Sequence, residues 1–594
     1  MNFKLPPFAI FEDTLTKGSS YYFYDPITEI VAYDEKSLQE AFIELEDLQS
    51  QGLYLAGFIS YEASYYSYEA SYYINKKLAH LRTENDGKLL HFVAFKSYLN
   101  KIPNSLTTNA TIDLMVDGLS IKDYQKSFND VQQALINGES YQINLTKNIY
   151  AKTSHSSHEL YNRLKQLQPV KYAAYLPFLE PDIISISPEL FFKKEGKYLI
   201  VRPMKGTARL TNDIEKNQEI YEELKACQKN KSENLIIVDL LRNDLSGIAK
   251  NHTVKVDKLF DIEKYNSLLQ ITSQISAKVD NGISFKKILD SLFPCGSITG
   301  APKIRTQELI SSIEKDKRNA YTGSLGYILP NNDMCFNVAI RTLEKNNDTI
   351  KLGVGGGITV YSDYQSEWLE MMTKIGFIKQ IYHPKFSIIE SIYFCNDFKL
   401  LDLHIQRLCQ TAERLFFNID SEKISNDLIS YAKKLNINTE YKIRLEYRYD
   451  NSVEICHTEI DNTKIEAVKL IISPEKIDST NKLFRYKTTH DSTRGFYTEM
   501  HNKYIASQEN KELLFLNEFG NITETRFHNI LIEKDGQKYT PLLTDGLLDG
   551  VARKTLIEKE NLITKSINLD ELKAADKIYL INSVRGFIPA YLDN

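Results

Sequence analysis

A single lysine, Lys205, lies among residues that restrict the backbone in VRPMKGTAR (201–209). The preceding proline fixes its own φ and Gly206 permits a tight turn, so we expect the Lys205 amine to project from a rigid corner. If Arg202 and Arg209 also lie close in space, they would favour the neutral, nucleophilic form of this amine. A lone lysine in a turn is usually a solvated surface residue, so the flanking motifs decide between the two interpretations.

Carboxylates that follow a run of glycines are a second feature with chemical potential. The three consecutive glycines in GVGGGITV (353–360) would let backbone N–H groups approach a ligand anion, although glycine runs also form simple bulges. The helix predicted next places Glu367 and Glu370 on one face, with Lys374 one turn later. This pattern is typical either of a surface Glu370–Lys374 ion pair or of a Mg²⁺ site, because Mg²⁺ takes a few carboxylates together with waters and substrate oxygens.

Two other stretches must position these residues. KSENLIIVDLLRNDL (231–245) has helical periodicity, with Ser232 as a suitable N-cap and Glu233 in the first turn, where a carboxylate is favoured. PCGSITGAPK (294–303) predicts a loop that leads into a helix beginning near Ile304. Taken alone, this loop is equally typical of a helix entry and of a binding site.

Length and composition exclude several classes of protein. A chain of 594 residues is expected to form roughly four structural units. The net charge of −5, without a run of Lys and Arg, argues against a nucleic-acid or anionic-membrane partner and leaves a small-molecule substrate. The six cysteines form no CxxC pair, so neither a disulfide framework nor a zinc site is indicated. We find no signal-peptide pattern and no apolar run that could cross a bilayer, so we expect a cytoplasmic protein.

A domain boundary is predicted near residue 382. His383 and Pro384 interrupt the helical pattern after Ile381, because proline disfavours a helical residue before it. Strands then alternate with helices, the clearest being DLHIQRLCQTAERLFF (402–417). We therefore expect one domain over residues 1–382 and another over residues 387–594.

The motifs of the first domain resemble those of the chorismate-utilising enzymes, and in particular the aminodeoxychorismate synthase type. The resemblance rests on YQINLT (141–146), SPELF (187–191), RPMKGTAR (202–209), ENLIIVDLLRNDL (233–245), GSITGAPK (296–303), YTGSLGY (321–327), AIRTL (339–343) and GGGI (355–358). Anthranilate synthases of the same family have alanine at the position of Lys205 and form no covalent adduct. The lysine is therefore the residue that discriminates between the two activities.

The resemblance implies a role for each of three polar residues in the first domain. Lys205 would attack C2 of chorismate as the 4-hydroxyl leaves, and ammonia would then attack C4 and expel the lysine. Glu189 of SPELF would act as the general acid/base. Gln270 occupies the position of a histidine that often assists loss of the hydroxyl, and glutamine can donate a hydrogen bond but cannot deliver a proton at neutral pH.

The same resemblance implies which residues hold the substrate and a metal ion. Glu233 and Glu370 would bind Mg²⁺, with Glu367 beside them, and the metal would hold the ring carboxylate. The implied substrate contacts are Arg341 and Tyr327 for the enolpyruvyl carboxylate, and Thr299, Gly355, Gly356 and Gly357 around the ring. A dicarboxylate substrate in an acidic site needs the metal and the arginine. Their positive charges offset the repulsion between the glutamates and the substrate carboxylates.

Residues 387–594 resemble the fold-type IV pyridoxal-phosphate enzymes, in particular aminodeoxychorismate lyase. The motifs are HIQRL (404–408), RYKTT (485–489), LFLNEFGNITETRFHNI (514–530), GLLDGVAR (546–553) and NSVRG (582–586). The resemblance implies that Lys487 holds the cofactor and moves the proton, with Lys503 as a second candidate, and that Glu524 bonds the pyridinium nitrogen. The residues implied around the cofactor phosphate are Arg407, Gly550, Val551, Ala552 and Asn529.

Together the two resemblances imply a bifunctional enzyme of 4-aminobenzoate synthesis for folate. The first domain would make 4-amino-4-deoxychorismate from chorismate and ammonia, and the second would eliminate pyruvate from it. No glutaminase-like segment is visible, so ammonia would come from a separate glutamine amidotransferase subunit. Three alternatives remain: an anthranilate synthase-type first domain, a second domain that transaminates branched-chain or D-amino acids, or a degenerate domain that only docks the amidotransferase.

The implied fold class is α+β. The first domain is expected to be an anthranilate-synthase-like sandwich of two mostly antiparallel sheets with outer helices. The second is expected to be a D-amino-acid-aminotransferase-like α/β unit of two subdomains, which is commonly a dimer in this fold type.

Overall fold

The chain forms two compact units, each with its own core. A computed structural model describes residues 7–16, 18–66, 78–83, 86–102, 109–116, 119–211, 213–264, 268–461, 467–506, 508, 510–560 and 562–592. The first unit comprises residues 1–112 and 118–382, and the second comprises residues 113–117 and 383–594. Within the described residues, no helix is long and apolar enough to span a bilayer.

The first unit combines long strands with nine helices among its described residues. The strands are β1 (Ala9–Glu12), β2 (Ser20–Ala32), β3 (Tyr54–Ile59), β4 (Leu90–Leu99), then, after β5 (Leu114–Val116) of the second unit, β6 (Gln142–Lys152), β7 (Tyr172–Leu176), β8 (Asp182–Ser187), β9 (Leu190–Glu195), β10 (Tyr198–Arg202), β11 (Met204–Arg209), β12 (Lys255–Lys264), β13 (Leu268–Lys278), β14 (Gly300–Ala301), β15 (Ser324–Ile328), β16 (Met334–Val338), β17 (Thr342–Asn346) and β18 (Thr349–Ile358). The helices are α1 (Glu35–Ser50), α2 (Ile121–Ile136), α3 (Ser157–Leu167), α4 (Ile214–Ala226), α5 (Gln228–Ser246), α6 (Phe285–Leu292), α7 (Lys303–Ile313), α8 (Tyr364–Lys374) and α9 (Gly376–Lys379).

Antiparallel pairings connect the strands of the first unit into one network, which confirms the expected α+β class. Strand β2 pairs with both β1 and β4 because it is long and bends. The bend coincides with a register shift between Pro26 and Thr28 and with a left-handed Asp25 (φ 58°). The core of this network is aromatic and aliphatic, and it includes Phe23 and Phe95, which are both fully buried. Such a core holds the strands rigidly, and the strands in turn fix the site residues.

Two pairs of strands and two helices of the first unit position the candidate site. Strand β18 pairs along the length of β6, so that its glycines face residues 144–146. Strand β11 pairs with β13, and α5 packs against both. Helix α8 packs against β18. The glycine run and Glu370 are therefore carried by one group of packed elements, and Lys205 and Glu233 by another.

The predicted N-cap of α5, Ser232, is wrong by five residues. The helix begins at Gln228, immediately after α4, and its N-cap is Cys227, which makes no capping hydrogen bond with its side chain. Ser232 therefore lies inside the helix, and Glu233 lies beyond its first turn. The preference of serine for caps misled the prediction, because the break between α4 and α5 comes from the extended backbone of Cys227 (φ −60°, ψ 104°).

The second unit contains two separate sheets and five helices among its described residues. The strands, besides β5, are β19 (Ile388–Cys395), β20 (Asp397–Phe398), β21 (Tyr441–Tyr447), β22 (Val453–Glu459), β23 (Val468–Ile472), β24 (Lys511–Leu514), β25 (Asn529–Lys534), β26 (Gln537–Thr540), β27 (Ile563–Thr564), β28 (Lys577–Asn582) and β29 (Gly586–Leu592). The helices are α10 (Leu401–Arg414), α11 (Ser421–Ala432), α12 (Phe496–Tyr504), α13 (Val551–Glu560) and α14 (Leu569–Lys573).

The two sheets of the second unit correspond to the two expected subdomains. One is an antiparallel sheet in the order β20-β19-β21-β22, covered by α10 and α11 around a shared apolar core. The other is a mixed sheet in the order β24-β23-β29-β28-β25-β26-β27, with parallel pairs at β23–β24, β23–β29 and β26–β27. This arrangement fits the α/β class predicted for the second domain.

Candidate active sites

A cavity of about 470 Å³ in the first unit brings together several of the predicted residues. Lys205 enters it from β11, Glu189 from the start of β9, and Arg341 from the segment before β17. Glu233 of α5 and Glu370 of α8 also line it. Residues from distant parts of the chain thus face one space large enough for a small-molecule substrate.

The predicted rigid corner at Lys205 is a β-bulge. The register between β11 and β13 shifts between Lys205 and Thr207, and Gly206 at the shift has a left-handed φ of 69°. A side chain at Gly206 would also crowd the Asn230 amide at 2.7 Å. The bulge re-aims the Lys205 side chain, whose Nζ lies 3.5 Å from Glu233 Oε2. The amine is therefore held beside a carboxylate.

Of the two arginines expected near Lys205, Arg202 does not provide a free positive charge there. Arg202 is in an ion pair with Glu263, and it also bonds Tyr172. The Arg209 side chain lies outside the described part of the structure. The hypothesis that arginines favour the neutral amine thus finds no support, and Glu233 is the charged neighbour that the structure places at Lys205.

Glu189 is a buried acid at the cavity wall. Burial raises the pKa of its carboxyl to about 7, and a hydrogen bond from Ser297 and the charge of Lys205 only partly offset this effect. Its Oε1 atom is buried and makes no hydrogen bond within the described residues. A carboxyl with this pKa is present in both protonation states near neutral pH, as a general acid/base requires.

The three consecutive glycines of β18, residues 355–357, have close neighbours that leave little room for a side chain at two of the positions. A side chain at Gly355 would collide with the Leu145 carbonyl, and one at Gly357 would collide with the Gln142 amide. Lys205 Nζ lies 3.4 Å from the position that a Cβ of Gly357 would take. The glycine run is therefore part of a regular strand, neither a bulge nor an anion-binding loop, and it makes room for the Lys205 amine.

The three predicted metal ligands do not form a cluster. Glu233 and Glu370 line the cavity, whereas buried Glu367 accepts a hydrogen bond of 2.7 Å from Ser362. Glu370 is in an ion pair of 2.9 Å with Lys374, as the surface-pair interpretation expected. In the part of the chain that the structure describes, no group of three His, Cys, Asp or Glu side chains could hold a metal ion. The residues fit Mg²⁺ only with two carboxylates and with oxygens from the substrate and water.

Besides Glu367 and Gly356, three residues predicted at this site, Tyr327, Thr299 and Gln270, lie away from the cavity lining. Tyr327 packs in the aromatic core against Phe11 and Tyr21, because alternation along β15 turns its side chain to that face. Thr299 is fully buried and donates its hydroxyl to the Cys295 carbonyl. Gln270 is also buried, and its amide contacts Met204 Sδ at 3.0 Å.

Two residues with evident roles at the cavity were not predicted as site residues. Lys374 lines it, donates to the Gly355 carbonyl at 2.9 Å and pairs with Glu370. Ser297 lines it and bonds the Glu189 carboxyl. The motif GSITGAPK contained the signal for Ser297, whereas the i,i+4 pattern alone gave Lys374 only as a surface ion pair.

A second cavity, of about 280 Å³, lies in the second unit. Lys487 lines it from the segment that pairs with β19, and Arg407 lines it from α10. Glu524 and Asn529 reach it from either side of a tight chain reversal before β25. The six cofactor residues predicted from the sequence, namely Arg407, Lys487, Glu524, Asn529, Val551 and Ala552, all line this one cavity.

Lys487 has the properties of a reactive amine. Burial lowers the pKa of its ammonium to about 7, and the cations Arg407, Arg494 and Lys442 add to this shift, while Glu390 opposes it. A lysine with this pKa is largely neutral just above pH 7 and can attack a carbonyl carbon. The second candidate, Lys503, is instead exposed and in an ion pair of 3.4 Å with Glu475.

Glu524 is buried and held by three donors. Its carboxylate accepts hydrogen bonds from Tyr497, from the Asn529 amide and from the Leu548 N–H, each at 3.1 Å. Burial nevertheless raises the pKa of this carboxyl to about 8. A buried acid of this kind becomes charged when a cation such as a pyridinium comes to lie beside it.

A helix N-terminus and a fixed arginine meet at one end of the second cavity. Arg407 makes two hydrogen bonds to Glu390, of 2.6 and 2.8 Å, and a third to the Asp549 carbonyl. Helix α13 begins at Val551, directly after Gly550, where a side chain would collide with the Asn529 amide oxygen. This geometry presents N–H groups and a guanidinium to an anion such as a phosphate.

The residues present therefore fit pyridoxal phosphate. The cavity offers an amine with a lowered pKa, a buried carboxyl and a helix N-terminus with an arginine. Gly550 has no side chain that would keep a ligand away from this N-terminus. These are the groups that hold the carbonyl, the ring nitrogen and the phosphate of the cofactor, respectively.

Comparison with known proteins agrees with this division of the chain. Residues 7–380 match the family model of the chorismate binding enzymes, and residues 394–591 match that of amino-transferase class IV, a family of pyridoxal-phosphate enzymes. Aminodeoxychorismate synthase component 1 from Salmonella typhimurium is 34% identical over 262 residues, which are 44% of this chain and 57% of the relative. A probable anthranilate synthase component 1 from Schizosaccharomyces pombe is 33% identical over 255 residues, 42% of this chain and 52% of the relative.

The chain thus spans just over half the length of the curated relatives that it matches. Among solved structures, anthranilate synthase component I from Streptococcus pneumoniae aligns with 64% of this chain and 95% of its own, with a TM-score of 0.53 at 20% identity. This likeness confirms the fold expected for the first unit. The chain belongs to the chorismate binding enzymes, and a class IV amino-transferase domain follows the chorismate-binding part.

Proposed function

We propose that the chain makes 4-aminobenzoate from chorismate in two steps, one on residues 1–382 and one on residues 387–594. The observation that carries this proposal is the pairing of Lys205 with the buried acid Glu189 at one cavity of a chorismate binding enzyme. An amine and an acid with a pKa of about 7 are the groups needed to displace a hydroxyl through a covalent adduct.

In the first step, the Lys205 amine forms a bond to C2 of chorismate while the ring double bonds shift and the C4–O bond breaks. Protonated Glu189 gives its proton to the departing hydroxyl, which leaves as water. The adduct nitrogen keeps both of its hydrogens as a secondary ammonium, which the charge of Glu233, 3.5 Å from Lys205, would stabilise and which can leave as the neutral amine. Ammonia then bonds to C4, the electrons shift back and the C2–N bond breaks, which restores Lys205 and yields 4-amino-4-deoxychorismate.

In the second step, pyridoxal phosphate would supply an electron sink for a substrate amine. Lys487 would hold the cofactor and remove the proton from C4, after which the C3–O bond breaks and pyruvate departs. Glu524 would hold the ring nitrogen, and Arg407 with the α13 N-terminus would hold the phosphate. The aromatic ring gained in 4-aminobenzoate provides the driving force.

Three partners complete the proposal. Mg²⁺ would be held by Glu233 and Glu370 together with the substrate carboxylate and water. Ammonia would come from a separate glutamine amidotransferase subunit, in line with relatives whose names describe a component 1. The second domain would pair with another copy of itself, as the resemblance to fold-type IV enzymes suggests.

The proposal is tested by identifying the products from purified chain, chorismate, Mg²⁺, pyridoxal phosphate and excess ammonium. We expect 4-aminobenzoate and pyruvate in equal amounts. Lys205→Ala should consume no chorismate, and Lys487→Ala should accumulate aminodeoxychorismate, while the exposed-lysine control Lys503→Ala should behave as wild type. Formation of anthranilate, or transamination of branched-chain or D-amino acids, would replace the proposal with one of the alternatives.

A further inference from the structure

The second cavity contains far more positive charge than the cofactor needs. Besides Lys487, Arg407 and the exposed Arg585, which donates to the Asp461 carbonyl at 2.9 Å, it is lined by Lys442 and Arg444 of β21, by Arg494 and by Arg526, whereas Glu524 is its one acidic lining residue within the described chain. Arg407 is neutralised by Glu390 and Arg444 by Glu446, at 2.6 and 2.8 Å. The remaining three, Lys442, Arg494 and Arg526, are called here the cationic wall.

The cationic wall has no carboxylate partner within 4 Å among the described residues. Arg494 donates to the Arg526 carbonyl at 2.7 Å, and the Arg526 Nε is buried without a hydrogen bond. Two acids approach this wall, Glu512 and Glu524, and burial raises the pKa of their carboxyls to about 7 and about 8. Much of Glu512 is therefore uncharged near neutral pH, so the wall keeps its positive charge.

An aromatic ring holds the two arginines in place. The guanidinium carbons of Arg494 and Arg526 each lie 4.6 Å from the centre of the Phe527 ring. Stacking of this kind fixes a guanidinium plane and leaves its N–H edge available to a ligand. Burial and the neighbouring Arg526 lower the pKa of Arg494 to about 10, so two like charges are being held together at a cost. An anion bound between them would remove that cost.

Charge balance indicates what kind of anion this is. Arg407 and the α13 N-terminus account for the phosphate, Lys487 for the cofactor carbonyl, and Glu524 for the ring nitrogen. Two arginines and a lysine then remain for the substrate, which is too many for an amino acid with an apolar side chain and one carboxylate. They match a substrate with two carboxylates, since each guanidinium can bind one in two-point fashion.

We propose that Arg494 and Arg526, with Lys442, are specificity-determining residues that select an amine bearing two carboxylates. This inference rests on the proposed function, because it concerns the substrate of the same cavity. It would separate the second domain from aminotransferases that act on amino acids with apolar side chains. The site is built before the ligand arrives, since Phe527 and the Arg526 carbonyl already hold both arginines.

The test uses the full chain loaded with pyridoxal phosphate and two non-reactive probes, benzoate and benzene-1,3-dicarboxylate. The readout is the rate at which phenylhydrazine captures the bound cofactor, which falls when an anion occupies the cavity. We expect the dicarboxylate to protect the cofactor at a concentration about 10- to 100-fold lower than benzoate. In Arg494→Gln/Arg526→Gln this preference should shrink to within about threefold.

Two further variants make the result decisive. Arg448→Gln removes an exposed arginine of the same unit that pairs with Glu454, and it should keep the full preference. Arg494→Lys keeps the positive charge but lacks the planar guanidinium that can bind a carboxylate at two points. This variant should retain part of the preference, which would show that the site is folded. Equal protection by both probes, no protection by either, or an unchanged preference in the double variant would overturn the inference.

Two other readouts separate this inference from neighbouring explanations. A double variant that loses affinity for pyridoxal phosphate as strongly as it loses the dicarboxylate preference would assign the wall to the cofactor and refute the inference. A preference for the dicarboxylate in a chain that forms no 4-aminobenzoate would refute the proposed function and leave the inference standing.

Discussion

Glu189 and Lys487 are the two residues whose surroundings tune them for proton transfer near neutral pH. Burial raises the pKa of the acid and lowers that of the amine, in each case to about 7, because burial always penalises the charged form. An acid that delivers a proton and an amine that attacks must both be uncharged first. The same physical cause therefore prepares opposite types of group for their proposed roles.

For Glu189, we predict a rate advantage that depends on pH. Only its protonated form delivers a proton, so the ratio of wild-type to Glu189→Gln rates of chorismate consumption should be about 10²–10⁴ below pH 7 and fall as pH rises through about 7. Taking the ratio cancels the pH dependence of the ammonia supply, which both enzymes share. Glu344→Gln is the matched control, because Glu344 is also buried with a raised pKa but lies away from the cavity. A ratio that does not vary with pH would remove Glu189 as the acid.

For Lys487, we predict how fast the cofactor-free chain captures pyridoxal phosphate. The neutral fraction of an amine with a pKa of about 7 rises about tenfold from pH 6 to pH 8 and then levels off, whereas that of an ordinary lysine rises about 100-fold over the same range. The capture rate, followed by absorbance, should therefore reach a plateau above about pH 8. Capture that persists in Lys487→Ala and disappears in Lys503→Ala would move the role to Lys503.

At the scale of elements, the three consecutive glycines of β18, residues 355–357, differ in which atoms a side chain at each position would meet. Gly355→Ala would press on the Leu145 backbone and should cost about 1–3 kcal/mol of unfolding free energy. Gly356→Ala would meet the end of the Lys374 side chain at 3.3 Å and Glu367 Oε2 at 3.6 Å, but no backbone atom, and should be nearly neutral. Gly357→Ala would displace Gln142 and crowd Lys205, so we expect chorismate consumption to fall about 10- to 100-fold with less loss of stability. Urea unfolding and steady-state rates measure the two effects, and equal behaviour of the three variants would contradict this account.

The elements also show where sequence reasoning succeeds. Helix α2 was predictable because Tyr124, Phe128, Val131 and Leu135 recur at helical spacing, and Gly138 with a φ of 73° ends it. The motif residues Lys205, Glu189, Lys487 and Glu524, whose sequence contexts are distinctive, each line one of the two cavities. Local pattern and motif are thus enough to find elements and many individual site residues.

Features that arise from long-range packing could not be predicted in this way. Tyr327 lies in a recognisable motif, but which face of β15 points to the cavity depends on pairing with β3 and β16. The cationic wall combines Lys442 of β21 with Arg494 and Arg526 from segments more than thirty residues apart, and no spacing rule connects them. Glu367 and Glu370 share a helix face but have different partners in three dimensions, and of the two Glu370 alone lines the cavity.

At the scale of the whole molecule, each unit carries its own core and its own cavity, so the two proposed steps should be separable. We predict that an equal mixture of Lys205→Ala and Lys487→Ala chains forms 4-aminobenzoate, although neither variant does so alone. The intermediate must then pass through solution, so product should appear after a lag, and its rate should increase with protein concentration more steeply than that of wild type. The double variant Lys205→Ala/Lys487→Ala, mixed with either single variant, is the control and should form no product. If the mixture is inactive while each single variant keeps its remaining half-reaction, the two steps require one intact chain, and the units cannot be treated as independent enzymes.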